Sequence, residues 1–232
     1  MSSWVRPAAA NNAEWCDLVC RSHAIRGTFG QDAWTSPTRT PPFYPDAVTL
    51  RPDVSVPDLL ARIDTSPGCS IKDSFASLDL TSFGFSPLFD AAWTVRRATP
   101  GRPPPATLRW DAVRDPETFV RWERAWRGED GPDDVLRPAL LDHDEVTVLA
   151  GRDGDDVVAG VVLNRSAEVV GVSNFFAAPG SAATGWAGGL AHIGTLLPGA
   201  VLVGYESSDA LGATRPDAFE IAGPLRVWRR DA

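Results

Sequence analysis

Residues 145–178, EVTVLAGRDGDDVVAGVVLNRSAEVVGVSNFFAA, decide the fold of this chain. Two apolar runs, Glu145–Gly151 and Val157–Asn164, have the length and the Val-rich composition of buried strands. The acidic, glycine-containing residues 153–156 between them are typical of a hairpin turn. A third apolar run, Val169–Ala177, follows after a short polar interval. We therefore predict three consecutive strands at the centre of the fold.

The sequence on either side of this core predicts alternating strands and helices. Asp115-Pro116 is typical of a helix start, because Asp caps free amides and proline suits the first turn. Before the core we predict a strand over 107–113 and helices over 116–128 and 135–141. After it we predict a helix over 185–197, a strand over 200–205, a short helix over 208–214 and a strand over 224–229. Residues 106–232 thus follow the order β-α-α-β-β-β-α-β-α-β.

That element order resembles the GNAT superfamily of N-acetyltransferases. The resemblance implies an α/β (α+β) fold, with a mixed sheet flanked by helices. It also implies an acyl-CoA loop after the fourth strand, where backbone amides at a helix N-terminus bind the pyrophosphate. The family pattern Gln/Arg-x-x-Gly-x-Gly/Ala falls on residues 182–187, where Gly185 and Ala187 match and Trp186 stands between them. These three residues are the predicted cofactor contacts; the alternative is a helix start that only packs on the sheet, with no cofactor.

The resemblance points to two further features. Family members have a bulge in the strand before the loop, and its N–H binds the acyl carbonyl; Ser173-Asn174 occupies that place in this sequence. The alternative is an edge position with Asn174 bonded to backbone. The general-acid tyrosine of the last helix is absent from residues 208–214. Tyr205, at the end of the preceding strand, is the candidate to replace it, or else it packs.

Glu123 is the candidate general base on the helix predicted over 116–128. At about 100° per residue, it falls inside the apolar stripe of Phe119, Trp122 and Trp126. Burial would raise the pKa of this carboxyl and suit it to proton transfer. The alternative is an edge position, with Glu123 paired to Arg127 four residues on.

The first half of the chain reads as a separate, shorter unit, with a helix predicted over 12–23. The Pro/Gly run 99–105 cannot continue a helix or a central strand, so it predicts a linker between residues 1–98 and 106–232. The outline of residues 68–97 also repeats in residues 199–230: each has a strand, a short helix and a strand ending in Arg-Arg. We therefore predict a degenerate tandem of two GNAT-like units with a cleft between them.

The predicted proline-rich loop 30–47 carries a second set of candidate residues. Prolines stiffen such a loop, so ordering it around a ligand costs little entropy. It presents Trp34, Arg39 and Tyr44 as substrate contacts and Asp46 as a catalytic carboxylate. An arginine fork beside aromatic rings suits a carboxylate, sulfate or phosphate. The alternative is a structural wrap over the sheet.

A third candidate group is Lys72-Asp73-Ser74, which follows a predicted strand and contains the only lysine of the chain. Ligands of α/β proteins tend to bind at strand ends, so these residues are predicted substrate contacts. The alternative, which the sequence favours, is a surface lysine paired with Asp73.

Charge and composition exclude several classes of partner. The net charge of −8 argues against nucleic acid or an anionic membrane surface. No apolar run has membrane-spanning length, which predicts a cytoplasmic protein. An odd count of three cysteines argues against a disulfide framework. Cys16 and Cys20, with His23 one turn on, are better explained by helix packing than by a metal site, so no metal is predicted.

Three functions agree with these features. The first is acyl-CoA-dependent acyl transfer to a small amine. The second is a CoA-independent enzyme of specialised metabolism, which removes a proton while an anionic group leaves from a substrate in the cleft. The third is a non-catalytic subunit of a hetero-complex. The expected partner is an anionic or amine-bearing small molecule, with homodimer or hetero-complex formation left open.

Overall fold

The computed structural model describes residues 2–99, 108–207 and 219–231. These residues form two compact units. Unit 1 contains residues 2–94, 205–207 and 220–231, and unit 2 contains residues 95–99, 108–204 and 219. Most of the predicted linker, and the short helix predicted over 208–214, lie outside the described residues. The predicted domain boundary therefore stays a prediction.

The described elements alternate between strands and helices along the chain. They are α1 (Val5–Ser22), β1 (Thr28–Phe29), β2 (Ala33–Thr35), β3 (Ala47–Thr49), α2 (Val56–Leu60), β4 (Ser70–Asp73), β5 (Phe85–Arg97), β6 (Arg109–Ala112), α3 (Pro116–Arg127), β7 (Val146–Asp153), β8 (Asp156–Arg165), β9 (Val170–Ala177), α4 (Ala182–Leu196), β10 (Val201–Ser207) and β11 (Glu220–Arg230). Short 3₁₀ turns cover Thr81–Phe83 and Pro138–Asp142. The predicted mixed α+β architecture is confirmed.

Unit 1 is a mixed sheet in the order β1-β2-β3-β4-β11-β5. The pairs β1–β2, β2–β3 and β4–β11 are antiparallel, whereas β3 and β4 run parallel. The last strand of the chain, β11, therefore lies between β4 and β5. On one face, Ile71 of β4 packs into an apolar core with Leu59, Phe85 and Trp228. Because side chains alternate along a strand, Lys72 points to the opposite face, where it meets α1.

Unit 2 follows the order β10-β9-β8-β7-β6. Strands β6 to β9 form an antiparallel meander, whereas β9 and β10 pair in parallel. Val161 packs into a core with Trp186 of α4, while a Cβ on the adjacent Gly160 would collide with Trp122 of α3 and Phe176. Neighbouring residues of β8 thus face different helices, so α3 and α4 flank opposite faces of the sheet.

Three predicted elements need correction. The predicted loop 30–47 contains the strand β2, whose three residues are too few to show a hydrophobic period. The first helix begins at Val5 rather than residue 12, because Ala8 and Ala9 are buried as well. The helix predicted from Gly185 already begins at Ala182. Within the described residues, no helix combines the length and apolar character that a membrane crossing requires.

Candidate functional site

The strand β9 contains the bulge that the sequence predicts over 172–175. Ser173 pairs with Val162 and Phe176 pairs with Gly160, so Asn174 and Phe175 together oppose the single residue between those two on β8. Asn174 adopts a left-handed backbone conformation with φ of 53°. A bulge of this kind takes backbone groups out of the regular ladder and aims them elsewhere.

The helix α4 follows this bulged strand after a short turn. Ser181 stands at its N-cap but makes no side-chain capping bond, and its first turn contains no acidic residue. The first amides of a helix have no carbonyl partner within the helix, and the helix dipole adds partial positive charge there. Ala183 and Thr184 of this turn are exposed. An anion can therefore approach this end of α4.

The side chains predicted as cofactor contacts attach α4 to the sheet. The Trp186 ring lies edge-on to Phe175, with ring centroids 4.5 Å apart. A Cβ at Gly185 would lie 3.2 Å from the Cβ of Ala177, so glycine permits the close approach of helix and strand. Ala187 is half-buried. These contacts support the packing alternative for Gly185 and Trp186.

Glu123 is buried on α3 and paired at the same time. Its side chain is 7% exposed, and Arg127 Nε lies 3.3 Å from Glu123 Oε2. Arg127 also binds Asp133 at 2.6 Å and donates to the carbonyl of Gly131 at 3.2 Å. Burial raises the pKa of Glu123, while the Arg127 charge opposes that rise. Burial and the ion pair with Arg127 therefore occur together at Glu123, and its role as a general base stays a prediction.

Unit 1 contains a cavity of about 710 Å³ between the proline-rich loop and the sheet. That volume falls in the range of small-molecule sites. Several predicted residues line it, including Arg39, Tyr44, Asp46, Lys72 and Tyr205. Glu123 belongs to unit 2 and is not among the lining residues.

The buried carboxylate of Asp46 holds the loop in place. It accepts hydrogen bonds from Arg39 Nη1 at 2.7 Å, the Thr40 amide at 3.0 Å and the Ser70 amide at 2.9 Å. Arg39 also donates to the Ser66 carbonyl at 2.9 Å. The contacts therefore support an ordering role for Asp46 and Arg39 within the loop.

Three predicted site residues are buried away from the cavity lining. Trp34 is fully buried and donates its indole N–H to Asp17 at 3.0 Å. Asp73 accepts from the amide of Leu78 at 2.8 Å, and burial raises the pKa of its carboxyl. Ser74 is also fully buried. The side chains of Trp34, Asp73 and Ser74 therefore help to build the interior of unit 1, and their role as substrate contacts stays a prediction.

Lys72 is not a surface residue paired with Asp73. Only 4% of it is exposed. Its ammonium donates to Asn12 Oδ1 at 2.8 Å and lies 4.1 Å from the centre of the Tyr205 ring. That ring meets Trp93 edge-on. One signal in the sequence indicates this site: the polar Asn12 falls among buried apolar residues of α1.

Sequence reasoning also missed two residues on the cavity wall. Phe43 is 70% exposed and has a left-handed backbone with φ of 72°. Arg229 lies on the exposed side of β11 and contributes to the same lining. Among the described side chains, no three His, Cys, Asp or Glu residues are grouped as metal ligands.

Solved structures similar to this chain include GCN5-related N-acetyltransferases. A GCN5-related N-acetyltransferase from Kribbella flavida aligns over 97% of this chain and 96% of its own, with 17% identity and a TM-score of 0.63. A putative GNAT-family acetyltransferase from Novosphingobium aromaticivorans aligns over 94% and 96%, with 12% identity and a TM-score of 0.52. This chain has the GNAT fold.

A further GNAT-fold structure, a GCN5-related N-acetyltransferase from Sphaerobacter thermophilus, covers 97% of this chain at 10% identity, with a TM-score of 0.52. These likenesses span nearly the whole chain and so include its first half as well as residues 106–232. The tandem of two GNAT-like units stays a prediction. No family model matches the sequence, and no curated protein matches it either. At such low identities the likeness establishes the fold alone.

Proposed function

We propose that the chain is an acyltransferase that uses acyl-CoA and transfers its acyl group to a small amine. The bulge of β9 carries this proposal. It lies in the strand directly before α4, whose first turn has no side-chain cap and no acidic residue. Bound acyl-CoA would supply an activated thioester: the amine nitrogen bonds to the acyl carbon, the carbon–sulfur bond breaks, and the CoA thiol leaves with a proton.

Backbone groups of unit 2 would do most of the binding. The free amides and dipole at the start of α4 suit the negative charge of a pyrophosphate. The bulge at Asn174 and Phe175 suits a carbonyl oxygen, because it turns backbone groups out of the β8–β9 ladder. The Ser173 and Asn174 side chains are half-buried at this point. Recognition through backbone explains how the fold tolerates a weak match in the side-chain pattern of residues 182–187.

For proton transfer we propose Tyr205 as the acid that protonates the leaving thiol. The contacts of its ring with Lys72 and Trp93 fix its orientation. Glu123 remains the candidate base, since burial raises its pKa. Its ion pair with Arg127 supports a second role, in which it anchors the segment after α3. Activity of the Glu123→Gln variant separates the two roles, because only the base role predicts a loss.

The proposal is tested by thiol release from acetyl-CoA with a panel of small primary amines. We expect amine-dependent release by the wild-type chain, with a lower kcat for Tyr205→Phe. A chain that binds acetyl-CoA but releases no thiol with any amine would contradict acyl transfer. The CoA-independent and non-catalytic alternatives are not favoured by the structural neighbours. Size-exclusion chromatography of the purified chain would reveal whether it is a monomer, a homodimer or in need of a partner.

A further inference from the structure

We propose that unit 1 holds a second ligand site, in which the Lys72 ammonium binds the carboxylate of a small, partly apolar acid. The site is the cavity under the proline-rich loop, and its lining residues all belong to unit 1. The bulge and the helix start proposed for acyl-CoA belong to unit 2. The two proposals share Tyr205, but the test of this one does not require acyl transfer.

The charge of Lys72 is the first observation. An ammonium group has three N–H donors. Among the described residues, the hydrogen-bond acceptor for the Lys72 ammonium is Asn12 Oδ1. The second contact is the face of the Tyr205 ring, which attracts a cation without neutralising it. Within the described ranges, no Asp or Glu forms an ion pair with Lys72. A buried charge without a counter-charge is costly, so an anion from outside would relieve it.

Asp46 is the carboxylate residue of the cavity lining, but its charge is already balanced by other partners. Its oxygens accept from Arg39 and from the amides of Thr40 and Ser70. Arg39 in turn is committed to Asp46 and to Ser66. The loop thus balances its own charges, and Lys72 remains the buried cation that a ligand can neutralise.

This charge balance favours a monoanion. One buried cation matches one carboxylate, whereas a phosphate dianion would bring a second negative charge into largely apolar surroundings. The other uncommitted cation of the lining, Arg229, is exposed and can be satisfied by water. The carboxylate is therefore the ligand group that Lys72 suits best.

The wall of the cavity suits an apolar body attached to that carboxylate. Phe43 is 70% exposed, and Leu88 is 49% exposed; both contribute to the lining. Phe43 adopts a positive φ that is rare for a bulky residue. The Asp46 hydrogen bonds hold the loop that presents it. A ligand carbon skeleton would cover these exposed rings and side chains and gain hydrophobic free energy.

The single lysine of the chain makes a direct test feasible. Protein labelled with ¹³C-lysine has one lysine side chain, so its methylene signals report on Lys72 alone. The probes are hexanoate, the uncharged hexanamide, and inorganic phosphate. We expect hexanoate to shift the Lys72 signal saturably. Hexanamide and phosphate should bind at least about tenfold more weakly, which corresponds to ~1.4 kcal/mol.

Variants extend the test to an independent readout. Lys72→Met keeps the length of the side chain and removes its charge, and we expect hexanoate affinity by calorimetry to fall at least tenfold (~1.4 kcal/mol). The matched control is Arg229→Gln, which removes the exposed cation of the same lining and should change that affinity by less than about threefold. Far-UV circular dichroism establishes that both variants are folded.

Each other outcome overturns the proposal. An unshifted Lys72 signal at 10 mM hexanoate, roughly a hundred times a typical weak ligand affinity, would exclude a carboxylate site. Equal binding of hexanamide would show that charge is not recognised, and equal binding of phosphate would assign a different anion class. The lysine signal is observable in wild-type protein, so the test does not require the Lys72→Met variant to fold. Acetyl-CoA binding is measured separately, so failure here is distinguishable from failure of the proposed acyl transfer.

Discussion

The ammonium of Lys72 lies 4.1 Å from the centre of the Tyr205 ring. Lys72 is in β4, and Tyr205 is near the end of β10. The ring is itself held by Trp93, whose centroid lies 5.7 Å away. The contact compensates part of the lost hydration of the ammonium. Because it leaves the positive charge in place, it explains why this lysine can be buried and still attract an anion.

The Asp46 carboxylate should contribute strongly to stability. Asp46→Asn removes the negative charge that faces Arg39 and exchanges one acceptor oxygen for a donor among buried amides. We expect the free energy of unfolding to fall by about 2 kcal/mol, in the range of hydrogen bonds to charged groups. Urea denaturation measures the change.

The matched control for Asp46 is Asp53→Asn. Asp53 pairs with Arg51 on the surface, and both side chains are about half exposed or more. Surface pairs contribute little, so we expect a loss below about 0.5 kcal/mol. Equal losses in the two variants would contradict the role assigned to Asp46 in ordering the loop.

Glu123 should make stability depend on pH in a defined direction. Burial raises the pKa of Glu123 in the folded chain, so the folded state holds its proton more tightly than the unfolded state. As pH rises through the unfolded value of about 4.3 towards the folded pKa, the wild type loses stability that Glu123→Gln does not lose. We expect the free energy of unfolding of Glu123→Gln to rise relative to that of the wild type between pH 4 and pH 7.5. Urea denaturation measures both values.

An exposed glutamate on the following segment provides the control for that series. Glu129→Gln should follow the wild type at every pH, because Glu129 lies in solvent. If the free energy of unfolding of Glu123→Gln instead falls relative to the wild type as pH rises, the effect of the Arg127 ion pair on the Glu123 pKa outweighs that of burial. The raised pKa would then be wrong.

If the start of α4 binds the phosphate groups of acetyl-CoA, a negative charge added there should weaken acetyl-CoA binding. Thr184→Glu places a carboxylate in the first turn, where it stabilises the helix through the dipole but repels an anion. We expect acetyl-CoA affinity to fall about tenfold or more, equivalent to ~1.4 kcal/mol. Calorimetry measures the affinity, and thermal unfolding should show no loss of stability.

Thr195→Glu is the control on the same helix. Thr195 is exposed in the last turn of α4, so the added charge is the same but lies far from the first amides. Its acetyl-CoA affinity should stay within about twofold of wild type, a difference of ~0.4 kcal/mol. Similar effects of the two substitutions would mean that α4 does not bind the cofactor at its N-terminus.

Local signals explain which parts of the fold the sequence could predict. The strands over 146–177 have clear apolar runs and a hairpin turn, and the observed bounds differ from the prediction by a few residues. The start of α3 follows from its cap, and the Asp115 side chain does accept from the Thr118 amide at 2.8 Å. The bulge of β9 was predictable because Ser173-Asn174 interrupts an otherwise apolar strand.

The environment of Lys72 could not be predicted, because its partners are distant in sequence. Asn12 lies 60 residues away along the chain, and Tyr205 lies much further along it, near the end of β10. Trp34 illustrates the same limit, since a three-residue strand gives no period from which burial could be inferred. For both residues, tertiary packing rather than local sequence decides exposure.

The most direct test of the central claim is titration of the wild-type chain with acetyl-CoA in a calorimeter, with longer acyl-CoAs alongside. We expect saturable one-to-one binding with a Kd of roughly 1–100 μM, equivalent to about −8 to −5.5 kcal/mol. Absence of binding by acetyl-CoA and by every longer acyl-CoA, with correctly folded protein, would contradict it.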